Sequence, residues 1–340
     1  ADQYVARGHE VLLVCLTASV IVQPKSAAVR LENLSVNKSL FGLVRSFYEF
    51  RQLISAFNPD VVHSHMVHAN IFSRLLRLTT RIPRLICTAH NSFEGGRLRM
   101  LAYRLTDSLA DLSTNVSEEA VQAFINKGAV KPGRMVAVYN GIDTRYFCFS
   151  QQARDDQRLA LGISDGGLLL LAVGRLTEAK DYPSMLRAFA KIVSVLPTAK
   201  LAIAGTGALQ TDLEAFAESY GIAGNVSFLG LRHDIAELMC AADLLVLSSA
   251  WEGFGLVVAE AMACERVVVA TDCGGVREVV GDAGWLVPAG CSDALAAALL
   301  EALSLEEADK AALGLAARAR VVSHFSVETA ASRWLELYQG

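Results

Sequence analysis

The sequence predicts an α/β chain of two domains, each built on a doubly wound parallel sheet. Two observations carry the prediction. Short apolar runs such as Leu168–Val173, Asp243–Leu247 and Val267–Ala270 have the length and near-continuous hydrophobicity of strands buried on both faces. Several run into a glycine turn and then into helix-forming sequence, which is the strand, turn, helix, strand order of a βαβ unit. At 340 residues, 53% of them hydrophobic, the chain has the length for two domains and the apolar content for two cores.

Taken in order, Ala1–Ala6 reads as the end of a helix, with Gly8 as its C-cap before a strand at Val11–Leu16. Leu40–Phe57 has a helical period, and Asn58-Pro59-Asp60 ends it before a strand beginning Val61-Val62-His63. His63, His65 and His68 crowd the end of that strand. As metal ligands they need a fourth group in suitable geometry, and none stands nearby. A loop at a strand's C-terminal end, facing a ligand, is the better reading. Arg84–Ala89 is the next strand and ends at His90-Asn91. Arg97–Leu105 then combines Arg97, Arg99 and Arg104 with Leu98, Met100, Leu101 and Tyr103. Such a segment rests on an anionic membrane surface or, as an ordinary amphipathic helix, on its own domain. Leu112–Val116 is a strand, Ser117 caps the helix after it, and Met135–Tyr139 is the last strand of the first domain. The polar stretch Cys148–Ser164 reads as a linker.

The second domain opens with Leu168–Val173 and the turn Gly174-Arg175-Leu176. Lys180 follows Arg175 by five residues. Two cations on a glycine turn suit a diphosphate, because Arg forks onto phosphate oxygens while Lys acts as a point charge. Pro183 suits the first turn of a helix. Lys200–Ala204 is a strand before Gly205-Thr206-Gly207, a weak dinucleotide signal because no third glycine opens the helix. Asn225–Leu229 is a strand before Gly230-Leu231-Arg232. After Asp243–Leu247 come the turn Trp251-Glu252-Gly253-Phe254-Gly255, a helix at Leu256–Ala263, the strand Val267–Ala270 and a turn at Gly274-Gly275. Helices at Ser292–Leu303 and Glu306–Val322 complete the domain.

The chemistry falls on the turn before Leu256. Gly253 and Gly255 let the backbone come close to a ligand, and the helix behind them offers free N-terminal amides to an anion. Glu252 and Glu260, with seven residues between them, would repel that anion. They fit neutral hydroxyl groups instead, as hydrogen-bond acceptors. The ligand that needs both is an anion rich in hydroxyls, such as a nucleotide sugar. The same spacing is also met by a helix start with one solvated acid and one unrelated acid.

The net charge of −4 is unevenly placed. Residues 1–150 hold 17 Lys+Arg and 11 Asp+Glu (+6), leaving 14 and 24 (−10) for residues 151–340. A basic half meets something anionic, or the asymmetry is ordinary scatter. The seven cysteines are scattered, odd in number and without C-x-x-C spacing. That fits free thiols in a reducing cytosol better than disulfides. No apolar run reaches the roughly 18 residues of a membrane span, and no signal peptide is visible.

Glu252-Gly253-Phe254-Gly255-Leu256, Glu260, Gly274-Gly275 and Glu278 closely resemble the donor-site signature of the retaining group 1, glycogen-synthase-like glycosyltransferases. The bacterial surface-polysaccharide enzymes are the nearest type. The resemblance implies a GT-B fold, two Rossmann-like doubly wound domains facing a cleft, and transfer of a hexose or N-acetylhexosamine from a nucleotide-diphosphate sugar. It implies an acceptor-binding domain at 1–147, a nucleotide-sugar-binding domain at 165–323 and a helix at 324–340 that packs back toward the first domain. Asn140-Gly141-Ile142-Asp143 matches the turn that closes the first domain. On the acceptor side the resemblance points to His65, His90 and Asn91, with His90 facing the reacting sugar. On the donor side it points to Gly174, Arg175, Lys180, Arg232, Glu252, Gly253, Phe254, Gly255, Leu256 and Glu260. Arg175 and Lys180 hold the departing diphosphate, Glu252 touches the transferred sugar and Glu260 holds the ribose. A donor phosphate oxygen helps to deprotonate the acceptor hydroxyl. The family places a strand and a glycine-rich loop before the first helix seen here, so the chain is expected to be truncated at its N-terminus.

No D-x-D occurs in the chain, and no metal or other cofactor is expected, with protein cations meeting the diphosphate charge. The expected partners are a nucleotide-diphosphate sugar, a glycan or polyprenyl-linked acceptor and an anionic membrane surface, with no nucleic acid. The expected location is the cytoplasm, peripheral on the inner face of the membrane. A nicotinamide dehydrogenase would need G-x-G-x-x-G followed by an acid, which is absent. A non-catalytic nucleotide-sugar-binding subunit, a phosphorylase and an epimerase share the expected fold.

Overall fold

The computed structural model describes residues 1–16, 23–34, 39–92 and 94–340, with the side chains of residues 40, 41 and 43 left aside. The chain divides into two units. The first comprises Ala1–Tyr139 with Ala330–Gly340, and the second Asn140–Thr329.

In the first unit, strands β1 (Leu12–Cys15) and β2 (Arg30–Asn33) pair in parallel as one small sheet. Strands β3 (Val61–His65), β4 (Arg84–Thr88), β5 (Leu112–Asn115) and β6 (Met135–Ala137) form a second parallel sheet in that order. Its strands are nearly all apolar or small because helices cover them. The helix Leu40–Phe57 places Phe50 and Ile54 against Leu76, Leu85 and Cys87. On another face Met100, Tyr103, Val121 and Phe124 form a separate cluster. Arg74 is fully buried beside Asp107, donates to Ser113 Oγ (2.8 Å) and lies over the Tyr103 ring. A buried charge survives only with such partners.

The second unit contains β7 (Leu169–Val173), β8 (Lys200–Ala204), β9 (Val226–Gly230), β10 (Leu244–Leu247), β11 (Val267–Asp272) and β12 (Trp285–Pro288). All are parallel, in the spatial order β12-β11-β10-β7-β8-β9. The order reverses between β7 and β10, and that switch point is where an open α/β sheet leaves a crevice at its strands' C-terminal ends. Leu186, Phe189 and Ile192 of the helix Tyr182–Val195 pack with Leu295 and Leu299 on Leu201, Leu244 and Val267. Each such fully buried side chain contributes about 1.5–3 kcal/mol relative to exposure.

One expectation is corrected. The polar stretch read as a linker contains a helix, Gln151–Ala160. Its two arginines face inward: Arg154 and Arg158 both pair with Asp243, and Arg154 also caps the carbonyls of Cys240, Ala241 and Ala242. The other face, with Asp155 and Asp156, is exposed, so the polar composition serves both ion pairing and solvation. The second unit begins at Asn140. Ile142 N donates to Phe325 O (2.7 Å) and Val327 N to Ile142 O (2.8 Å), which ties the Asn140–Asp143 turn into the second unit. One helix ends at Phe325, and another runs Val327–Gln339.

Candidate functional site

The switch point is lined by two turns, one after β7 and one after β10. After β7 the chain turns at Gly174 (φ 157°), forms a short 3-10 turn at Glu178–Lys180, and starts the next helix at Asp181, whose carboxylate caps Ser184 N. A Cβ on Gly205 would lie 1.9 Å from Gly174 O, and one on Gly207 2.2 Å from Leu176 O. The G-x-G after β8 therefore lets one backbone turn press on another.

After β10 the chain passes Ser248 and Ser249 and enters Glu252-Gly253-Phe254-Gly255. Gly255 (φ 88°) is the N-cap of the helix Leu256–Ala263, and no side chain caps that helix. Gly274 (φ 55°) lies against the Glu252 carbonyl, where an added Cβ would sit 2.0 Å from the oxygen. Gly275 N donates to Gly253 O (3.3 Å), and Phe254 is buried edge-on against Phe325. The two glycine pairs so far apart in sequence thus form one backbone contact.

Lys180 and Glu252 meet across the switch point as an ion pair. Ser249 Oγ donates to the same Glu252 oxygen, Oε1 (2.7 Å), and Ser248 Oγ to Lys180 O (2.7 Å). Tyr182 OH donates to Gly174 O (3.0 Å), and burial followed by the Glu252 charge holds its phenol well above the usual range. Arg175 is exposed, and its guanidinium has no hydrogen bond or ion pair among the described residues. The site therefore holds one free cation and one cation neutralised by an acid.

Glu260 is different. It lies one helical face in from the turn, and its carboxyl has no hydrogen-bond or ion-pair partner among the described residues. Burial alone pushes it up to about 7. Its oxygens keep access to solvent, so water or the hydroxyls of a ligand can donate to them. Arg232 forks onto Asp234, which Gln157 also binds (2.8 Å), and this bonding, with Arg232 first, holds the Asp234 carboxyl at about 2. The guanidinium is thus already engaged. In the turn after β9, Gly230 O accepts from Gly205 N (2.8 Å), and Leu231 is 70% exposed.

In the first unit the histidines gather at the ends of β3 and β4. His65 Nδ1 lies 3.0 Å from His90 Nε2. The His63 ring stacks 4.1 Å from that of His65 and 4.4 Å from that of Trp334. His63 bonds Tyr338 OH (2.7 Å) through Nδ1 and Thr88 Oγ1 (2.6 Å) through Nε2. Although His65 reaches solvent, desolvation in the stack, then His90, lower it to about 4. Desolvation also lowers His90. These rings are neutral at pH 7, suited to hydroxyl groups rather than to anions. His90 N donates to Glu94 Oε1 (3.0 Å), and Asn91 O accepts from Asn115 Nδ2 (3.3 Å). No group of three or more ligand-type side chains suited to a metal occurs among the described residues.

Sequence reasoning missed several of these participants. Trp334 and Tyr338 reach His63 from the far end of the chain, so no local pattern could reveal them. Tyr146, whose hydroxyl donates to His233 O (3.2 Å), has its phenol raised by burial first and then by nearby acids, Glu237 and Asp234 ahead of Glu260.

Fold and site define a two-unit parallel α/β protein whose second unit carries paired charge at a topological switch point. Comparison with known proteins narrows this. Residues 153–320 match the family model "Glycosyl transferases group 1", and residues 1–146 match "Glycosyltransferase Family 4". The chain belongs to the group 1 glycosyltransferases and has their GT-B type of α/β fold. It is 32% identical over 234 residues to the N-acetyl-alpha-D-glucosaminyl L-malate synthase of Bacillus anthracis, covering 67% of this chain and 59% of that protein. It is 32% identical over 298 residues to the D-inositol 3-phosphate glycosyltransferase of Mycobacterium marinum, covering 82% and 63%. These matches span about three fifths of each relative's length. Among solved structures, HepE of Anabaena in complex with UDP superposes with a TM-score of 0.82 at 25% identity, over 92% of this chain and 86% of that one. Sucrose-phosphate synthase of Thermosynechococcus elongatus shares the fold, with a TM-score of 0.84 at 23% identity over 99% and 90%.

Proposed function

We propose that the protein is a retaining, metal-independent glycosyltransferase of surface-polysaccharide type. In this reading it moves a hexose or N-acetylhexosamine from a UDP-sugar to an acceptor with an anionic, lipid-linked end. The observation that carries the reading is Glu260, an unpartnered and largely buried carboxyl behind the Glu252–Gly255 turn. Two vicinal ribose hydroxyls supply the two donors it lacks. UDP in the solved complex of HepE supports the choice of nucleotide. The names of the relatives include L-malate and inositol 3-phosphate, both anions.

On this reading the Lys180–Glu252 pair exchanges partners when donor binds. Lys180 turns to the diphosphate beside Arg175, and Glu252 accepts from a hydroxyl of the transferred sugar. As the glycosidic bond breaks, negative charge grows on the leaving phosphate, and both cations and the uncapped amides before Leu256 stabilise it. A phosphate oxygen takes the acceptor proton on the same face, which preserves the anomeric configuration. His90 and His65, kept neutral, accept from or donate to acceptor hydroxyls. The chain has no D-x-D, and two protein cations stand where a metal would otherwise screen the diphosphate.

The test is a panel of radiolabelled nucleotide sugars incubated with membrane extracts. Incorporation from one UDP-hexose, undiminished by EDTA, is expected. Binding of the donor without turnover under all acceptors would favour a non-catalytic subunit. A loss on EDTA that Mg²⁺ restores would overturn metal independence.

A further inference from the structure

Glu94 is a buried carboxylate in the turn after His90, and it plays no part in the chemistry above. The paired register of β3 and β4 ends at His65 and Thr88. Ala89 N still reaches Thr114 O on β5 (2.9 Å). His90 N lies one residue further and takes Glu94 Oε1 as its acceptor (3.0 Å). The other carboxylate oxygen, Oε2, accepts from Tyr103 OH (2.6 Å), which in turn accepts from Asn70 Nδ2 (3.1 Å). Asn70 Nδ2 also donates to Thr88 O (2.9 Å), and Asn70 Oδ1 accepts from Ser64 Oγ (2.8 Å). Glu94, Tyr103, Asn70, Thr88 and Ser64 are all buried. The chain of bonds thus runs from the amide of His90 to the residue before His65.

The turn is shaped to hold the acid inward. Gly95 stands at φ 107°, where an added Cβ would lie 2.8 Å from Arg99 Cδ, and Arg99 donates to Glu94 O (3.0 Å). Burial, followed by the Glu94 charge, keeps the Tyr103 phenol well above its usual range, so its hydrogen stays available to the carboxylate. Hydrogen bonds to a charged acceptor are the shorter and stronger ones, and a low-dielectric interior strengthens them further.

We propose that Glu94 is the positioning residue of the acceptor-side histidines, tying the His90 turn to the end of β3 so that His65 and His90 stay within hydrogen-bond reach. The use made of those rings rests on the glycosyltransferase reading above. His65 Nδ1 and His90 Nε2 are 3.0 Å apart, so one nitrogen carries the hydrogen and the other the lone pair. That division fixes both tautomers, and with them what each ring's remaining nitrogen offers a hydroxyl. Glu94 acts through the His90 backbone and through Asn70, not by contact with an acceptor.

The imidazole tautomers give a readout that a loss of stability alone does not move. Protein carrying isotopically labelled histidine is followed by NMR at pH 7, with His65→Gln and His90→Gln for assignment. Wild type should show one fixed tautomer for each of the two rings. Glu94→Gln has one acceptor oxygen for two donors, so both rings should show mixed tautomers. Tyr103→Phe keeps the bond to His90 N and cuts the link to Asn70, and should move the same signals less. Ile54→Val weakens the separate cluster around Leu76 and Leu85 and should leave the tautomers fixed. Transfer from radiolabelled UDP-hexose to membrane extracts should fall roughly 10- to 100-fold in Glu94→Gln, the scale of a one-ångström misplacement, with UDP affinity unchanged. Fixed tautomers in Glu94→Gln, equal mixing in Ile54→Val, or undiminished transfer in Glu94→Gln overturns the positioning role. Should Glu94→Gln fail to fold, unmoved signals in Tyr103→Phe overturn it. A wild type that neither binds UDP nor transfers rejects the underlying reading instead, and the tautomers still decide the positioning.

Discussion

The turn site of the second unit and the histidine site of the first are built by opposite means. At the switch point the backbone does the positioning. Gly274 presses on Glu252, Gly205 on Gly174, and the charged side chains stand on turns fixed in that way. At the ends of β3 and β4 side chains do it, through ring stacking and a bond from Tyr338 on a remote helix. The charges differ in the same sense. The first site is ionic, with Lys180 paired to Glu252 and Arg175 free, while the second is a set of imidazoles held neutral by desolvation. The difference teaches that a site shaped by glycine is held by close contact of one backbone turn with another. A site shaped by packing draws on distant segments.

The comparison is most exposed to the loss of a cation. Lys180→Ala and Arg175→Ala are each expected to raise the barrier by roughly 2–4 kcal/mol, the scale of a lost transition-state donor. Steady-state rates with saturating donor decide it, and near-normal kcat in both variants would remove the diphosphate from this turn.

The two acids sharpen the picture within the same site. Glu260 should hold a part of the donor remote from the breaking bond, so Glu260→Gln should raise donor KM more than it lowers kcat. The expected loss is about 1.5–3 kcal/mol, typical of hydrogen bonds to a charged group. In the proposed function Glu252 faces the transferred sugar, so Glu252→Gln should lower kcat more. Reversed signatures would exchange the two assignments.

How much was legible in the sequence follows the same division. The strand and glycine-turn pattern predicted the parallel sheets of the second unit because each βαβ unit is written in consecutive residues. The turn from Glu252 to Gly255 was readable for that reason, and so was the placing of Arg175 and Lys180 after a buried strand. The ion pair between Lys180 and Glu252 was not readable, since 72 residues separate them. The helix Gln151–Ala160 was missed because its inward-facing arginines resemble a solvated linker until Asp243 is seen opposite them. Trp334 and Tyr338 became visible as partners of His63 only in the fold.

The smallest expected effect lies on the first unit. Tyr338→Phe keeps the ring beside Trp334 and removes the hydroxyl that meets His63. A loss of about 0.5–1.5 kcal/mol in stability is expected, the net worth of one such bond, with UDP affinity unchanged. Thermal or denaturant unfolding checks it. An unaltered midpoint would mean that packing alone anchors the helix.

The central claim is that Glu260 waits for hydroxyl donors of a nucleotide, and proton linkage tests it most directly. With no ligand its carboxyl titrates at about 7, raised by burial. Hydroxyl donors favour the charged form, so binding must lower that value and release a proton. UDP affinity should therefore be weaker at pH 6 than at pH 8. Calorimetric titration of UDP near pH 7, in two buffers of different ionisation enthalpy, should show proton release in wild type and none in Glu260→Gln. Equal proton release in both proteins, or UDP binding insensitive to pH in both, would contradict the account.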